Sequence, residues 1–398
     1  MTIPKLLVFS SLFPSQIRPN AGVFIRERMF RVGKQIPIIV VSPVPWFPFQ
    51  GIIRYWCPNF RPQPSCYEEQ DGVQVYYPRF FSIPGLLKSC DGFFMALGAL
   101  PRLLKLKKQF SIIDAHFAYP DGYAATLLGK WLNIPVTITL RGTEVPLAKN
   151  KRRKVKILTA LNCATQVFSV SNSLKQFVVS LGANGDKIQV IGNGIDVIKF
   201  RPIDKSTARA ELSISESTKV LVSVGALVAR KGYHRVIELL PTLVMQYPDL
   251  LYLIVGGDSP EGNIRIKLEQ QVNDLNLDKH VRFLGPYASD QLKTPLSAAD
   301  LFVLATANEG WANVFLEAMA CGLPVITTDV GGNKEVIVNS ELGTVVPFGN
   351  PRDLLTAISN GLDKSWNNPL IIQFAQDNAW DYRVKILVDN FKRITSFF

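Results

Sequence analysis

Two carboxylates eight residues apart, Glu309 and Glu317, stand in the stretch EGWANVFLEAMACGLPVITTDVGG. Good helix formers (Leu316, Glu317, Ala318, Met319, Ala320) predict a helix from Asn313 to Cys321. Gly322 takes the position after its end, and Pro324 forbids continuation. Asn313 reads as the N-cap, so Glu309 lies in the loop before the helix and Glu317 in its second turn. The flanking runs LFVLAT and LPVITT read as buried strands, and strand–loop–helix–strand is a βαβ unit. Loops at the carboxyl ends of such strands form a ligand crevice, and the two acids read as part of a ligand site there.

Cations stand in an equivalent place. VGALVARKGYHRVIELL follows a strand, turns at Gly225 and enters a helix near Gly232, which puts Arg230 and Lys231 beside a helix N-terminus. Cations with free backbone N–H groups form an anion site, most commonly for phosphate. Position alone leaves a solvated surface pair equally open. Gly331 and Gly332 in TTDVGGNKE mark either a plain turn or a second close approach of backbone to ligand. Gly22, just before a helical run, carries the same two readings. SIIDAHFAYPDGYAA ends a strand at His116, and LRGTE ends the next with Arg141 and Glu144, so these three should be neighbours. His234 and His280 read as surface residues.

These positions require strands to hold them. KLLVFSS, IPIIVVSPV, SIIDAHF, PVTITLRG, TQVFSVS and IQVIGNG in the first half, and KVLVSVGAL, LYLIVGG, HVRFLG, LFVLAT and LPVITT in the second, are nearly continuous apolar runs. Such runs belong to parallel sheets covered on both faces. The expected fold is α/β, two Rossmann-like doubly wound domains facing each other across a cleft, with the boundary near NGIDVIKFRP. The last segment is helical in pattern, with Val384, Leu387, Val388 and Phe391 on one stripe.

The chain has 398 residues, room for two or three domains, and no apolar run near the ~18 residues needed to span a bilayer. Five cysteines without a C-x-x-C spacing argue for a reduced, cytoplasmic setting and against structural zinc. The N-terminal KLLVFSS is too short for a signal sequence and reads as a first strand. Residues 1–200 carry 25 Lys and Arg against 10 Asp and Glu, and the remainder 19 against 22, so the first half should meet something anionic.

Taken together, Gly225 with Arg230-Lys231-Gly232, the E-x7-E pair, the ACGLPVI run, Gly331-Gly332, AHFAYPDGYAA, RGTE and NGID resemble glycosyltransferase family 4 over nearly the whole chain. The resemblance implies the GT-B architecture: an acceptor-binding domain over 1–200, a nucleotide-sugar domain over 201–379, and a final helix, 380–398, crossing back to the first. It implies a retaining hexosyltransferase using a nucleotide-diphosphate sugar, UDP before GDP, and a glycan or lipid-linked acceptor in surface polysaccharide or glycolipid assembly.

Site roles follow from the same resemblance. Glu317 binds the donor ribose and Glu309 the transferring sugar, while Arg230 and Lys231 neutralise the diphosphate. His116 touches the sugar near the reacting centre, and Gly22 lets a loop close over the phosphates. Leu284 and Gly285 face the base. Gly310, Trp311, Ala312 and Asn313 line the donor side, and Arg141 and Glu144 the acceptor side. The chain departs from the family pattern at Ala226, where many members have Arg, and at Trp311-Ala312, where many have Phe-Gly.

No D-x-D occurs, so no metal or other cofactor is expected, the cations and helix starts doing that work. Three other readings were weighed: a glycosidase acid pair, a nucleotide-sugar epimerase of the same fold, and a non-catalytic nucleotide-sugar or membrane-binding protein. The glycosidase has no use for phosphate-binding helix starts. Finally, Arg102–Lys108 and Lys149–Lys156, with the apolar loops PWFPF and FFSIPGLL, predict peripheral docking on the anionic cytoplasmic membrane face. Nucleic acid is not expected.

Overall fold

The computed structural model describes residues 3–57, 60–259 and 261–396. It divides into two compact units, one formed by Met1–Asn193 with Asp381–Phe398 and the other by Gly194–Trp380. The first unit ends at Asn193 rather than at residue 200. The reason is that Ile195 bridges Ala379, and Phe200 packs into the core of the second unit.

In the first unit, eight strands form one sheet in the order β10-β9-β8-β7-β1-β2-β5-β4. They are β1 (Leu6–Phe9), β2 (Ile38–Val41), β4 (Tyr67–Gln70), β5 (Val73–Tyr76), β7 (Ile112–His116), β8 (Val136–Leu140), β9 (Gln166–Ser169) and β10 (Ile188–Val190). All pairs are parallel except β4 with β5. β3 (Val44–Trp46) and β6 (Arg79–Phe81) pair separately. Strands β1, β7 and β8 are buried along their whole length, as strands covered on both faces must be.

The final helix, Trp380–Thr395, buries Val384, Leu387, Val388 and Phe391, the stripe legible in its periodicity. Phe391 meets Phe168 of β9 edge-on, with ring centroids 5.9 Å apart.

The second unit holds six parallel strands in the order β13-β12-β11-β14-β15-β16: β11 (Val220–Val224), β12 (Leu251–Val255), β13 (Val281–Gly285), β14 (Leu301–Leu304), β15 (Val325–Thr328) and β16 (Gly343–Val346). One apolar cluster covers each face of this sheet. Both sheets are therefore doubly wound, the fold class expected from the sequence. The strand order reverses beside β11, so loops after β11 and β14 emerge together at the ligand-binding edge. All five cysteines are free. His234 and His280 are half-buried rather than exposed, and His280 Nδ1 lies 2.8 Å from the Leu250 carbonyl.

Candidate active site

The loop after β11 and the loop after β14 are stitched together before any side chain meets a ligand. The Arg230 carbonyl accepts from Ala307 N (2.7 Å) and Thr306 Oγ1 (3.0 Å). That stitch brings Lys231 onto Glu309, Nζ to Oε1 at 2.5 Å, with Thr306 Oγ1 standing 3.3 Å from the same oxygen. Lys231 and Glu309 are nearly buried, at 12% and 9% side-chain exposure, so this ion pair is shielded from solvent. Arg230 Nη1 stands 3.5 Å from that carboxylate, while its Nε and Nη2 donate to Glu261 at 2.6 and 2.9 Å. This two-pronged contact holds the Glu261 carboxyl below its ordinary range. Glu261, in the loop after β12, escaped the sequence reading because no motif or periodicity marks it.

The E-x7-E helix runs Asn313–Ala320. Its N-cap is Ala312, not Asn313, and Ala312 offers no capping side chain. Glu317 is half-buried in the second turn, and the Cys321 thiol, pushed up to about 12 by burial and then by Glu317, marks that end of the helix. Ala312 is buried, while Gly310 and Asn313 are half-buried. Trp311 packs partly on the core with its Nε1 buried and unpartnered. Gly331 has φ +53°, and a Cβ there would fall 1.6 Å from the Glu309 carbonyl oxygen. The glycine is required by the loop that carries Glu309. Leu284 and Gly285 end β13, where Gly285 O accepts from Gly256 N.

In the first unit, His116 ends β7 but is wholly buried. Its Nδ1 is 3.1 Å from Arg141 Nη2, and its Nε2 is 3.4 Å from Asp114 Oδ2. A guanidinium only donates, so Nδ1 accepts and the proton of the neutral ring sits on Nε2. Burial, reinforced by Arg141 and Arg28, holds the imidazole well below its ordinary pKa. Both ring nitrogens thus meet protein groups, where a contact to the donor sugar was expected.

Arg141 also donates to Asn193 Oδ1 (2.9 Å) and stacks over Phe24. Glu144 is fully buried and already saturated: it accepts from Ala118 N (2.9 Å), Gly142 N (2.8 Å) and Arg141 N (3.3 Å). It clamps the loops after β7 and β8 together instead of facing an acceptor. Asp121 does the same between the loops after β7 and β1, accepting from Ser11 N and from Ser11 Oγ at 3.0 Å. Gly22 caps the helix Val23–Gly33 at φ +69°, and the Leu12 carbonyl oxygen lies 2.2 Å from where its Cβ would be. Packing of its own loop accounts for that glycine.

Cations and acids meet at the switch point of the second sheet, a place where doubly wound folds bind ligands, and comparison with known proteins gives the class. Residues 53–199 match the model for glycosyltransferase family 4 and residues 204–371 that for group 1 glycosyl transferases. The chain belongs to the family-4 glycosyltransferases and is an enzyme of the glycosyltransferase class with the GT-B fold.

Among its relatives is TuaC of Bacillus subtilis (strain 168), a glycosyltransferase assigned to teichuronic acid biosynthesis, 29% identical over 337 residues and 82% of each chain. The D-inositol 3-phosphate glycosyltransferase of Corynebacterium urealyticum is 33% identical over 218 residues, 52% of this chain and 51% of that one. The fold is that of Anabaena Alr3699/HepE in complex with UDP (TM-score 0.74, 18% identity, 98% of this chain and 100% of that one). No helix among the described residues is long and apolar enough to cross a membrane.

Proposed function

We propose that the enzyme transfers a hexose-type sugar, with retention of configuration, from a UDP-sugar rather than a GDP-sugar to a glycan or lipid-linked acceptor in surface polysaccharide or glycolipid assembly. The observation that carries this reading is the shielded Lys231–Glu309 pair with Arg230 beside it, at the edge where βα loops meet ligands. Cleaving a sugar–phosphate bond builds negative charge on the leaving diphosphate. Lys231 and Arg230 stabilise it, Glu309 grips the sugar hydroxyls, and Glu317 holds the ribose. No metal is required in this scheme, because fixed cations supply the charge. Anabaena Alr3699/HepE is known in complex with UDP and with UDP-glucose, and the name of TuaC refers to teichuronic acid biosynthesis; both favour this choice. A panel of labelled UDP- and GDP-sugars, scored for binding and slow hydrolysis, tests it: preference for a GDP-sugar, or no binding of either, refutes the donor assignment.

The acceptor reading extends to the cytoplasmic membrane face. Phe49, Tyr55 and Trp56 are 76–85% exposed, and Leu86 and Leu87 59–62%. The two loops adjoin at Ser82, whose N–H donates to Trp46 O and whose Oγ accepts from Lys88 Nζ. Lys151–Lys154 occupy the first turn of the helix Lys151–Cys163, where cations oppose the helix dipole at a cost of about 0.3–1 kcal/mol each. A charge run placed against its own helix suits an anionic partner. Lys156 of that run bonds the Tyr123 hydroxyl, and Tyr123 packs beside Gly92 near the Leu86-Leu87 loop. Arg102–Lys108 lies at the far end of the helix Asp91–Leu106, about 20 Å along its axis, and is the lesser contributor.

A further inference from the structure

Arg28, on the helix Val23–Gly33, is 1% exposed, and its Nε, Nη1 and Nη2 are buried without a hydrogen-bond acceptor. Buried arginines are rare unless paired, and each unmet buried donor costs free energy. The surface Arg28 faces has the same surplus of donors. Asp114 and His116 of β7, with Thr137 and Thr139 of β8 and Arg141 just beyond, lie on one side of the sheet, since alternate residues of a strand share a face. Thr137 Oγ1 donates to Asp114 Oδ1 over 2.7 Å, and Thr139 stands opposite His116 in register. Three more buried polar atoms here have no hydrogen-bond partner: Thr139 Oγ1, Arg141 Nε and His116 Nε2, whose nearest acceptor, Asp114 Oδ2, stands 3.4 Å away.

The final helix closes the same side. Phe391 lies on Phe168, which is opposite Thr139 in the β8–β9 register, and Arg383 of this helix acts electrostatically on Arg28. All these residues belong to the first unit. Asp114 is the one acid of the group with capacity to answer the arginines, because both Glu144 oxygens already accept backbone N–H groups. Burial pushes the Asp114 carboxyl up to about 6 against the pull of Thr137, Arg28 and Arg141, and the Arg28 guanidinium down to about 10.

We propose that this buried cluster of donors binds an oxyanion, a phosphate or carboxylate group, between Arg28, Arg141, Thr139 Oγ and the Nε2–H of His116. Planar guanidinium donors suit two oxygens of such a group at once. The site is built from the first unit's residues alone, whereas Arg230 and Lys231 belong to the second unit, and it does not depend on which sugar or nucleotide the enzyme uses. The anion is either a free resident ion or a group carried on a substrate.

The test is a phosphate titration of the full chain, followed by thermal unfolding, on wild type, Lys231→Ala, Arg28→Met and Arg28→Lys. Wild type and Lys231→Ala should show a saturable rise in Tm of about 5–10 °C at a hundredfold excess over the dissociation constant. Arg28→Met should lose the rise, and Arg28→Lys should keep part of it. Should Arg28→Met fail to fold, Thr139→Val serves instead, with phosphate affinity reduced about tenfold. Glycerol 3-phosphate replaces phosphate in a parallel arm: an equal rise identifies a substrate-borne group, and a rise with phosphate alone a resident ion. The proposal is overturned if Arg28→Met responds as wild type does, or if Lys231→Ala abolishes the rise. It is likewise overturned if wild type shows no saturable rise, which would mean that buried water satisfies the arginine.

Discussion

Lys231 donates to Glu309 across 2.5 Å, so the first acid of the E-x7-E pair and the cation beside the helix start form one shielded unit. Each fixes the other's position. Lys231→Ala should lower turnover at least about a hundredfold, as loss of a stabilising donor does in other enzymes. Combining it with Glu309→Gln should cost far less than the product of the two single effects, since partners in one contact are not additive. Steady-state kinetics on purified protein decides this, and near-normal turnover of Lys231→Ala would contradict the assignment.

Arg230 is held by Glu261 through two contacts of 2.6 and 2.9 Å, both on half-open side chains. Glu261→Gln should release the guanidinium toward the donor and lower the donor KM about twofold to fivefold, a free-energy change of the order of an exposed pair. An increase in KM would mean that Glu261 orients Arg230 rather than competing for it.

Glu144, itself fully buried, accepts three backbone N–H groups, one buried and two partly so. Glu144→Ala should destabilise the protein by about 3 kcal/mol, a fall in Tm of roughly 6–12 °C, through donors left unmet. Differential scanning calorimetry reads this directly. A variant as stable as wild type but inactive would instead return Glu144 to the acceptor site.

Burial raises the Asp121 carboxyl to about 7, against an ordinary value near 3.8. Between these values the folded state binds the proton and the unfolded state does not, so Asp121 makes stability fall as pH rises through that window. Asp114, raised to about 6, acts in the same direction. His116 opposes them, since its lowered pKa withdraws stability as pH falls below its ordinary value of 6.5. Asp121→Asn should flatten the decline between pH 4 and 7 in denaturant titrations. An unchanged slope would show that Asp121 is ionised in the fold throughout that range.

Neutralising Lys149–Lys156 should abolish co-flotation with anionic liposomes, and replacing Phe49, Tyr55 and Trp56 by Ser should weaken it at high salt as well. Each cation near an anionic leaflet contributes about 1 kcal/mol, which salt screens, whereas apolar insertion persists. Flotation equal to wild type in both variants would dispose of membrane docking.

The strands that hold the site were legible because a sheet covered on both faces leaves unbroken apolar runs, as at Val220–Val224 and Ile112–His116. The small strands β3 to β6 were not. The β4–β5 hairpin did carry a signal in Asp71-Gly72, a turn pair between alternating residues. Glu309, and Arg230 with Lys231, could each be placed in a loop after a strand, but that their strands are neighbours, so that lysine and acid touch, emerged only from the fold. What Glu144, Glu261 and Arg28 do could not be read, since their partners lie in other loops and elements: Ala118 for Glu144, Arg230 for Glu261 and the Asp114 face for Arg28. Burial of His116 was hidden for a similar reason. A strand end faces the crevice by topology, but whether its ring turns outward depends on Arg141, twenty-five residues on.

The Glu309 carbonyl resting where Gly331 lacks a side chain ties the loop after β14 to the loop after β15. Any side chain at 331 would have to displace that carbonyl, and with it the acid that Lys231 holds. The proposed site therefore rests on a backbone joint as much as on its charges, and a methyl group added at 331 would unseat Glu309 without touching its carboxylate.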